Sequence, residues 1–262
     1  GLRVLAYNRS PAKTQAWRAR FPQGEVCTSL EQLASEVDVV SLCVGNDNDV
    51  RETVRAMLPH LKAGTVILDH TTTSSALAQE MHALCAKHAV QFLDCPVSGG
   101  QAGAENGKLT IMCGGDEATF ERVRPILAQY SQYQRHFGAS GAGQGAKMVN
   151  QILVVNVLQG LAEGITLGKA LGLDIEALVD TLKRGAANSW QLENRGLTMS
   201  EGKFDFGFAV DWAIKDLGIV QDCAQSLGLN MAATQEILKR YQNISANGHG
   251  REDTSALIRQ FE

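Results

Sequence analysis

Lys147, Asn150 and Gln151 open a run, Lys147 to Leu171, that reads as one long apolar helix. Residues three and four apart on a helix share a face. Polar groups gathered on such a face need partners, because buried amides are costly when unsatisfied. Hydroxyl and carboxylate oxygens of a small acid would serve, and so would a structural hydrogen-bond network. A free lysine titrates near about 10.4 and is protonated at neutral pH. Burial disfavours its charged form. Placement in the first turn of a helix, where the backbone carries partial positive charge, pushes the same way. Such an amine can take a proton and give it back; a lysine snorkelling at a helix end is the structural alternative. Ser98-Gly99-Gly100 is the second group of interest. Glycines let the backbone approach a ligand closely. Their N–H groups and the Ser98 hydroxyl can hold a carboxylate, although an ordinary turn has the same composition.

These groups need elements to position them. Leu2–Tyr7, Asp38–Val44, Thr65–Leu68, Val90–Leu93 and Leu109–Cys113 are apolar runs of strand length. Helical patterns separate most of them: one from Pro11, with Ser10 as N-cap, then Val50–Leu61 and Ser74–His88. Strands without alternation, interleaved with helices, indicate a parallel sheet covered on both faces. After about residue 138 this alternation stops. Ala139–Gly145 reads as a flexible glycine stretch, and the helix from Lys147 spans roughly 37 Å at 1.5 Å per residue. Ile175–Arg184, Asp211–Leu227, Ala232–Ala246 and Thr254–Phe261 also read as helical. The expected fold is a Rossmann-like α/β parallel-sheet domain over 1–138, followed by an all-α domain over 139–262 with a long central helix. The Ser98 turn then follows a strand's carboxyl end, where open α/β sheets bind ligands.

Composition narrows the function. The 262 residues carry 24 Lys plus Arg against 28 Asp plus Glu, a net charge of −4, and no basic run exceeds two, which argues against nucleic acid. Lys147, Asn150, Gln151, Asn156, Gln159, Glu163 and Lys169 interrupt the long helix, so a membrane span is not expected. An apolar helix in water must be buried in its own domain or against another subunit, which predicts a homodimer or homotetramer. The six cysteines and six histidines show no zinc spacing, and no metal site is expected. Scattered cysteines read as reduced, buried small hydrophobes in a cytoplasmic protein. Gly1–Ser10 lacks the pattern of a signal peptide. Tyr-x-x-x-Lys, G-x-S-x-G and G-x-x-x-x-G-K-[ST] do not occur, so short-chain dehydrogenase, hydrolase and phosphate-loop chemistries are not indicated.

Nothing at the start fits the strand–G-x-G-x-x-G–helix of a dinucleotide site. The first strand instead ends at Asn8-Arg9-Ser10. An acidic residue at such a strand end binds the ribose 2′-hydroxyl of NAD. Neutral Asn8 and positive Arg9 suit a 2′-phosphate, or form an ordinary helix start.

Four motifs carry a resemblance. Asp94-Cys-Pro-Val-Ser-Gly-Gly-Gln-Ala-Gly-Ala104 resembles D-A-P-V-S-G-G-x-x-G-A of the β-hydroxyacid dehydrogenases, the 3-hydroxyisobutyrate and tartronate semialdehyde reductase group related to 6-phosphogluconate dehydrogenase. Gly141–Gln151 resembles that family's catalytic-lysine motif, Lys215-Asp216-Leu217 its K-D-L, and Gly248–Ser255 its G-x-G-x-x-D-x-S. The resemblance implies an NADP-dependent reductase or dehydrogenase, with NAD as the alternative cofactor, acting on a small β-hydroxy acid or its semialdehyde. It casts Lys147 as general acid/base and Ser98, Gly99, Gly100, Asn150 and Gln151 as substrate-binding. Asn8, Arg9, Ser10, Val44, Gly45, Thr72 and Lys215 would hold the cofactor. Cys43-Val44-Gly45-Asn46 stands for the family's M-L-P-N, with Gly45 replacing proline and loosening the turn, and Asp69–Thr72 stands for D-x-S-T. Asp216 would orient Lys215 or cap locally, and Phe208 and Trp212 would pack the helical core or line the substrate site. Family members carry a first strand and glycine loop upstream of this start, roughly 25 residues by the length of half a βαβ unit. A catalytically silent oligomerisation or partner-binding module is the rival reading, and imine reduction a third. Retention of Lys147 argues against both.

Overall fold

The computed structural model describes residues 1–261. The strands are β1 (Leu5–Ala6), β2 (Glu25–Val26), β3 (Val39–Leu42), β4 (Val66–Asp69), β5 (Gln91–Asp94), β6 (Val97–Ser98), β7 (Leu109–Cys113) and β8 (Ser131–His136). The helices are α1 (Pro11–Arg20), α2 (Leu30–Glu36), α3 (Asp47–Met57), α4 (Ser75–Ala86), α5 (Gly100–Glu105), α6 (Glu117–Leu127), α7 (Ala142–Ala170), α8 (Ile175–Leu182), α9 (Trp190–Ser200), α10 (Val210–Ser226) and α11 (Ala232–Ile244). They form two compact units, Gly1–Ser98 with Leu109–Gly145, and Gly99–Lys108 with the residues from Ala146 on.

In the first unit β3, β4 and β5 are parallel neighbours, with Leu42 opposite Asp69 and Asp69 opposite Asp94. All four β4 residues are buried. Successive side chains of a strand point to opposite faces. Ile67 and Phe92 therefore join one apolar cluster with Leu77 and Met81, and Leu68 and Leu93 join another with Ile111 and Leu127. Both faces are covered, which is why the strands do not alternate. Further pairs are parallel β1–β2 and β7–β8, while the short β6 runs antiparallel to β7. The helix starts follow side-chain capping: Asn46 on α3, Ser74 on α4 and Asp116 on α6 accept backbone N–H groups of the first turn.

Several expectations are corrected. The first strand shrinks to Leu5–Ala6, with Leu2 and Val4 exposed. Strand β8, Ser-Gln-Tyr-Gln-Arg-His, carries no apolar run and was not anticipated; pairing with β7 holds it extended. Cys43 is exposed, whereas Cys27, Cys85, Cys95 and Cys113 are buried. Thr254–Phe261 is a 3-10 helix.

The largest correction concerns Ala139–Gly145, expected to be flexible. The helix already begins at Ala142, so Lys147 is its sixth residue and lies in the second turn. The glycines serve close packing. Gly141 has φ +93°, and a Cβ on Gly143 would lie 2.5 Å from the Met112 carbonyl oxygen and 2.7 Å from that of Asp94. Within the second unit, the buried face of α7 (Gln151, Val155, Leu158, Ala162 and Ile165) meets α10 and α11 in a core that includes Tyr241, whose hydroxyl donates to the Thr254 carbonyl at 3.0 Å. Its other face is not buried in this chain: Val149 is 58% and Leu153 61% exposed.

Gly143→Ala is expected to destabilise the chain by about 1–3 kcal/mol in urea denaturation, the usual range for overpacking. Gly160→Ala, on the same helix with open space around it, is expected to stabilise by about 0.5–1 kcal/mol.

Candidate active site

In the first unit the carboxyl ends of β3, β4 and β5 are tied to one another. The Val44 N–H donates to Thr71 Oγ1 at 3.0 Å. The His70 N–H donates to the Leu42 carbonyl at 2.8 Å, and the Cys95 N–H to the Asp69 carbonyl at 2.7 Å. His70 Nδ1 lies 2.7 Å from the Cys95 carbonyl oxygen and Nε2 3.0 Å from the Tyr130 hydroxyl. Burial pushes the His70 imidazole pKa down, so the ring is neutral. A carbonyl only accepts, so Nδ1 carries the proton and the Tyr130 hydroxyl donates to Nε2. Asp69 is buried and accepts the Thr71 N–H at 3.0 Å. Burial pushes its carboxyl up to about 7, and the charges of Asp94 and Asp47 add to the shift.

Thr72 stands between two buried neighbours, Thr71 and Thr73, and is itself half-buried. Val44 and Gly45 are half-buried at the end of β3. Ser98 is half-buried in β6, the last residue of its segment in this unit. Asn8 folds back so that its Oδ1 accepts the Ser10 N–H at 2.8 Å. Ser10 occupies the N-cap position of α1, but its hydroxyl caps no N–H group, which corrects the expected capping bond. The Arg9 guanidinium is 75% exposed and lies 3.4 Å from Asp49 in the first turn of α3, the helix that follows β3.

The second unit holds a charged relay. Asn150 Nδ2 donates to Gln151 Oε1 at 2.8 Å, and Gln151 Nε2 donates to Asp216 Oδ2 at 2.6 Å. Lys215 Nζ pairs with Asp216 Oδ1 at 3.1 Å and lies 5.9 Å from the centre of the Trp212 ring. Lys147 is buried at 8% exposure. Its pKa is pulled down to about 8, first by burial, with the Lys215 charge pushing the same way and the Asp216 charge opposing. Both protonation states are therefore accessible near neutral pH, whereas an ordinary lysine is almost wholly protonated there. Phe208 packs against the helical core, and Trp212 is 41% exposed. Gly99 and Gly100 have φ +125° and +61°, which favours glycine, and lead into α5.

The fold thus brings Lys147, Gln151, Lys215 and Asp216 under one electrostatic influence, and joins Val44 to the segment carrying Thr72. Two residues were under-read from the sequence. Asp216, expected to orient Lys215 or to cap locally, pairs with Lys215 and also accepts from Gln151, a partner that was missed. Gln144, buried on the first turn of α7, hydrogen-bonds the segment around Thr72. Its glycine-rich surroundings hid it, because its partners lie 71 and 73 residues away.

Residues 1–146 match the NAD binding domain of 6-phosphogluconate dehydrogenase, and residues 141–261 match the NAD-binding region of NADP-dependent 3-hydroxyisobutyrate dehydrogenase. An uncharacterized oxidoreductase of Shewanella frigidimarina is 43% identical over 99% of this chain and 90% of its own length. A probable 3-hydroxyisobutyrate dehydrogenase-like protein of Arabidopsis thaliana is 34% identical over 100% and 79%. The crystal structure of 3-hydroxyisobutyrate dehydrogenase from Salmonella typhimurium superposes with a TM-score of 0.90 at 31% identity, covering 100% of this chain and 92% of that one. The chain belongs to the β-hydroxyacid dehydrogenase family, NAD(P)-dependent oxidoreductases acting on a CH–OH group.

Proposed function

We propose that this protein interconverts a small β-hydroxy acid and its semialdehyde, with NADP as the preferred cofactor and Lys147 as general acid/base. The observation that carries this reading is the buried amine of Lys147, held near neutrality beside the Lys215–Asp216 pair. The names borne by relatives, 3-hydroxyisobutyrate dehydrogenase among them, support the substrate class.

Two features fit a nicotinamide dinucleotide. The ends of β3 and β4 are locked around Thr72, and α1 presents an uncapped first turn beside an exposed guanidinium at Arg9. Val44, Gly45, Thr72 and Lys215 would hold its nicotinamide half, and Asn8, Arg9 and Ser10 the 2′-phosphate. When bound, the oxidised nicotinamide supplies a hydride acceptor for the carbinol carbon.

The remaining work falls to side chains of this chain. Ser98, Gly99 and Gly100 hold the substrate carboxylate through the hydroxyl and backbone N–H groups. Asn150 and Gln151 orient its oxygens. Neutral Lys147 takes the hydroxyl proton as the alcohol is oxidised, and in reduction the protonated amine returns it. Asp216 keeps the amine from losing its proton altogether, and Lys215 keeps it from holding that proton too tightly. A catalytically silent module has no use for such tuning. The exposed apolar face of α7, Val149, Leu153 and Val157, supports a homodimer or homotetramer, and the reduced cysteines support a cytoplasmic setting.

Lys147→Ala is expected to lower turnover about a hundredfold or more with an unchanged far-ultraviolet circular dichroism spectrum; near-normal turnover removes Lys147 from the mechanism. In the oxidative direction kcat/KM should rise with pH about a midpoint near 8, because the neutral amine is the active form, and the reductive direction should fall through the same midpoint. Asp216→Asn removes the charge that favours protonation, so the midpoint should move down. Steady-state kinetics with both cofactors should favour NADPH, and Arg9→Ala should erode that preference about tenfold, the scale of one charge-assisted contact; an unchanged ratio overturns the NADP assignment. Leu153→Glu should shift the mass measured by light scattering towards the monomer.

A further inference from the structure

Thr71 and Thr73 are buried, and the Thr71 carbonyl and the Thr73 N–H both find partners although the segment belongs to no strand, while the Thr73 hydroxyl has none. Gln144 supplies the partners. Its Nε2 donates to the Thr71 carbonyl at 2.7 Å, and its Oε1 accepts the Thr73 N–H at 3.0 Å. The two bonds straddle Thr72. One side-chain amide here imitates a peptide group of an adjacent strand, donating and accepting as a ladder partner would. The orientation of the amide is unambiguous, because a carbonyl can only accept and a backbone N–H can only donate.

Gln144 is itself immobilised. It is fully buried, and its own N–H donates to Asp94 Oδ2 at 3.0 Å. Its partners alternate in burial: Thr71 at 2% and Thr73 at 0% point inward, and Thr72 between them turns outward. Thr71 is also anchored by Asp69 and by the Val44 N–H. The two bonds fix the backbone on either side of Thr72.

We propose that Gln144 is a positioning residue for the cofactor site: its amide holds Thr71 and Thr73 so that Thr72 meets the nicotinamide half in one fixed orientation. The proposal rests on the assignment of Thr72 as a cofactor contact. Losing both hydrogen bonds strands two buried backbone groups, each of which then lacks a partner. The segment relaxes, and affinity for the cofactor falls without a matching loss of affinity for the acid.

The test compares Gln144→Met, of similar size but without hydrogen-bonding groups, with Thr72→Ala and the double variant. NADPH binding is read by fluorescence titration, kinetics by separate KM values, and the backbone by hydrogen exchange. Gln144→Met should raise the NADPH Kd and KM about tenfold or more and leave the hydroxy-acid KM within about twofold. The Thr73 amide should exchange about tenfold faster while that of Leu68 is unchanged, two lost hydrogen bonds setting the scale. The double variant should bind NADPH no worse than Thr72→Ala alone. Accelerated Thr73 exchange with an unchanged Kd, or effects that simply add, overturns the role of Gln144. Unchanged NADPH affinity in Thr72→Ala overturns the parent assignment instead. If Gln144→Met does not fold, Gln144→Asn, whose amide falls one carbon short, is read in the same way.

Discussion

The carboxylate of Asp94 is the fixed point of the first unit. It ends β5, is wholly buried, and accepts the Gly141 N–H at 2.8 Å and the Gln144 N–H at 3.0 Å. It thereby caps α7 from a distant part of the chain. A carboxylate at a helix N-terminus meets both unpaired N–H groups and the positive end of the helix dipole. Burial raises its pKa, and the backbone hydrogen bonds from Gly141 and Gln144 oppose the shift. The glycines around it follow from this. A Cβ on Gly114 or Gly143 would lie within 3 Å of its oxygens, so the helix can start there only with hydrogen at those positions.

From this anchor α7 takes its register. Gln144 reaches the Thr71–Thr73 segment, and Lys147, one turn further on, belongs with Gln151, Asp216 and Lys215 of the second unit. A register shift of one residue would rotate Gln144, Lys147 and Gln151 by about 100° about the axis of α7. The same helix carries a structural cap, a backbone clamp and an ionisable amine. The balance at Lys147 is one of magnitudes: burial lowers its pKa, Asp216 restores part of it, and the result near 8 leaves both protonation states populated close to neutral pH.

Much of this was legible beforehand. The buried strands β3, β4, β5 and β7 announce themselves as apolar runs, because strands covered on both faces have no polar side to interrupt them. Lys147, Asn150 and Gln151 declare a shared face by their spacing. Local chemistry failed where partners are distant. Strand β8 is polar and exists through pairing with β7. Ala139–Gly145 cannot be told from a linker by composition, since glycine serves looseness and close packing alike; here α7 already begins at Ala142. Ser10 has the residue type of an N-cap yet makes no capping bond.

The sequence by itself determined the buried strands β3, β4, β5 and β7, the polar stripe on the long helix and the family to which the chain belongs, because these depend on periodicity and on short contiguous motifs. Only the tertiary structure decided that Asp94 caps α7, that Gln144 clamps the segment around Thr72, and that Gln151 donates to Asp216. Each of those contacts joins residues roughly fifty or more positions apart. A hydrogen bond reads distance and angle in space, and neither is written in local spacing.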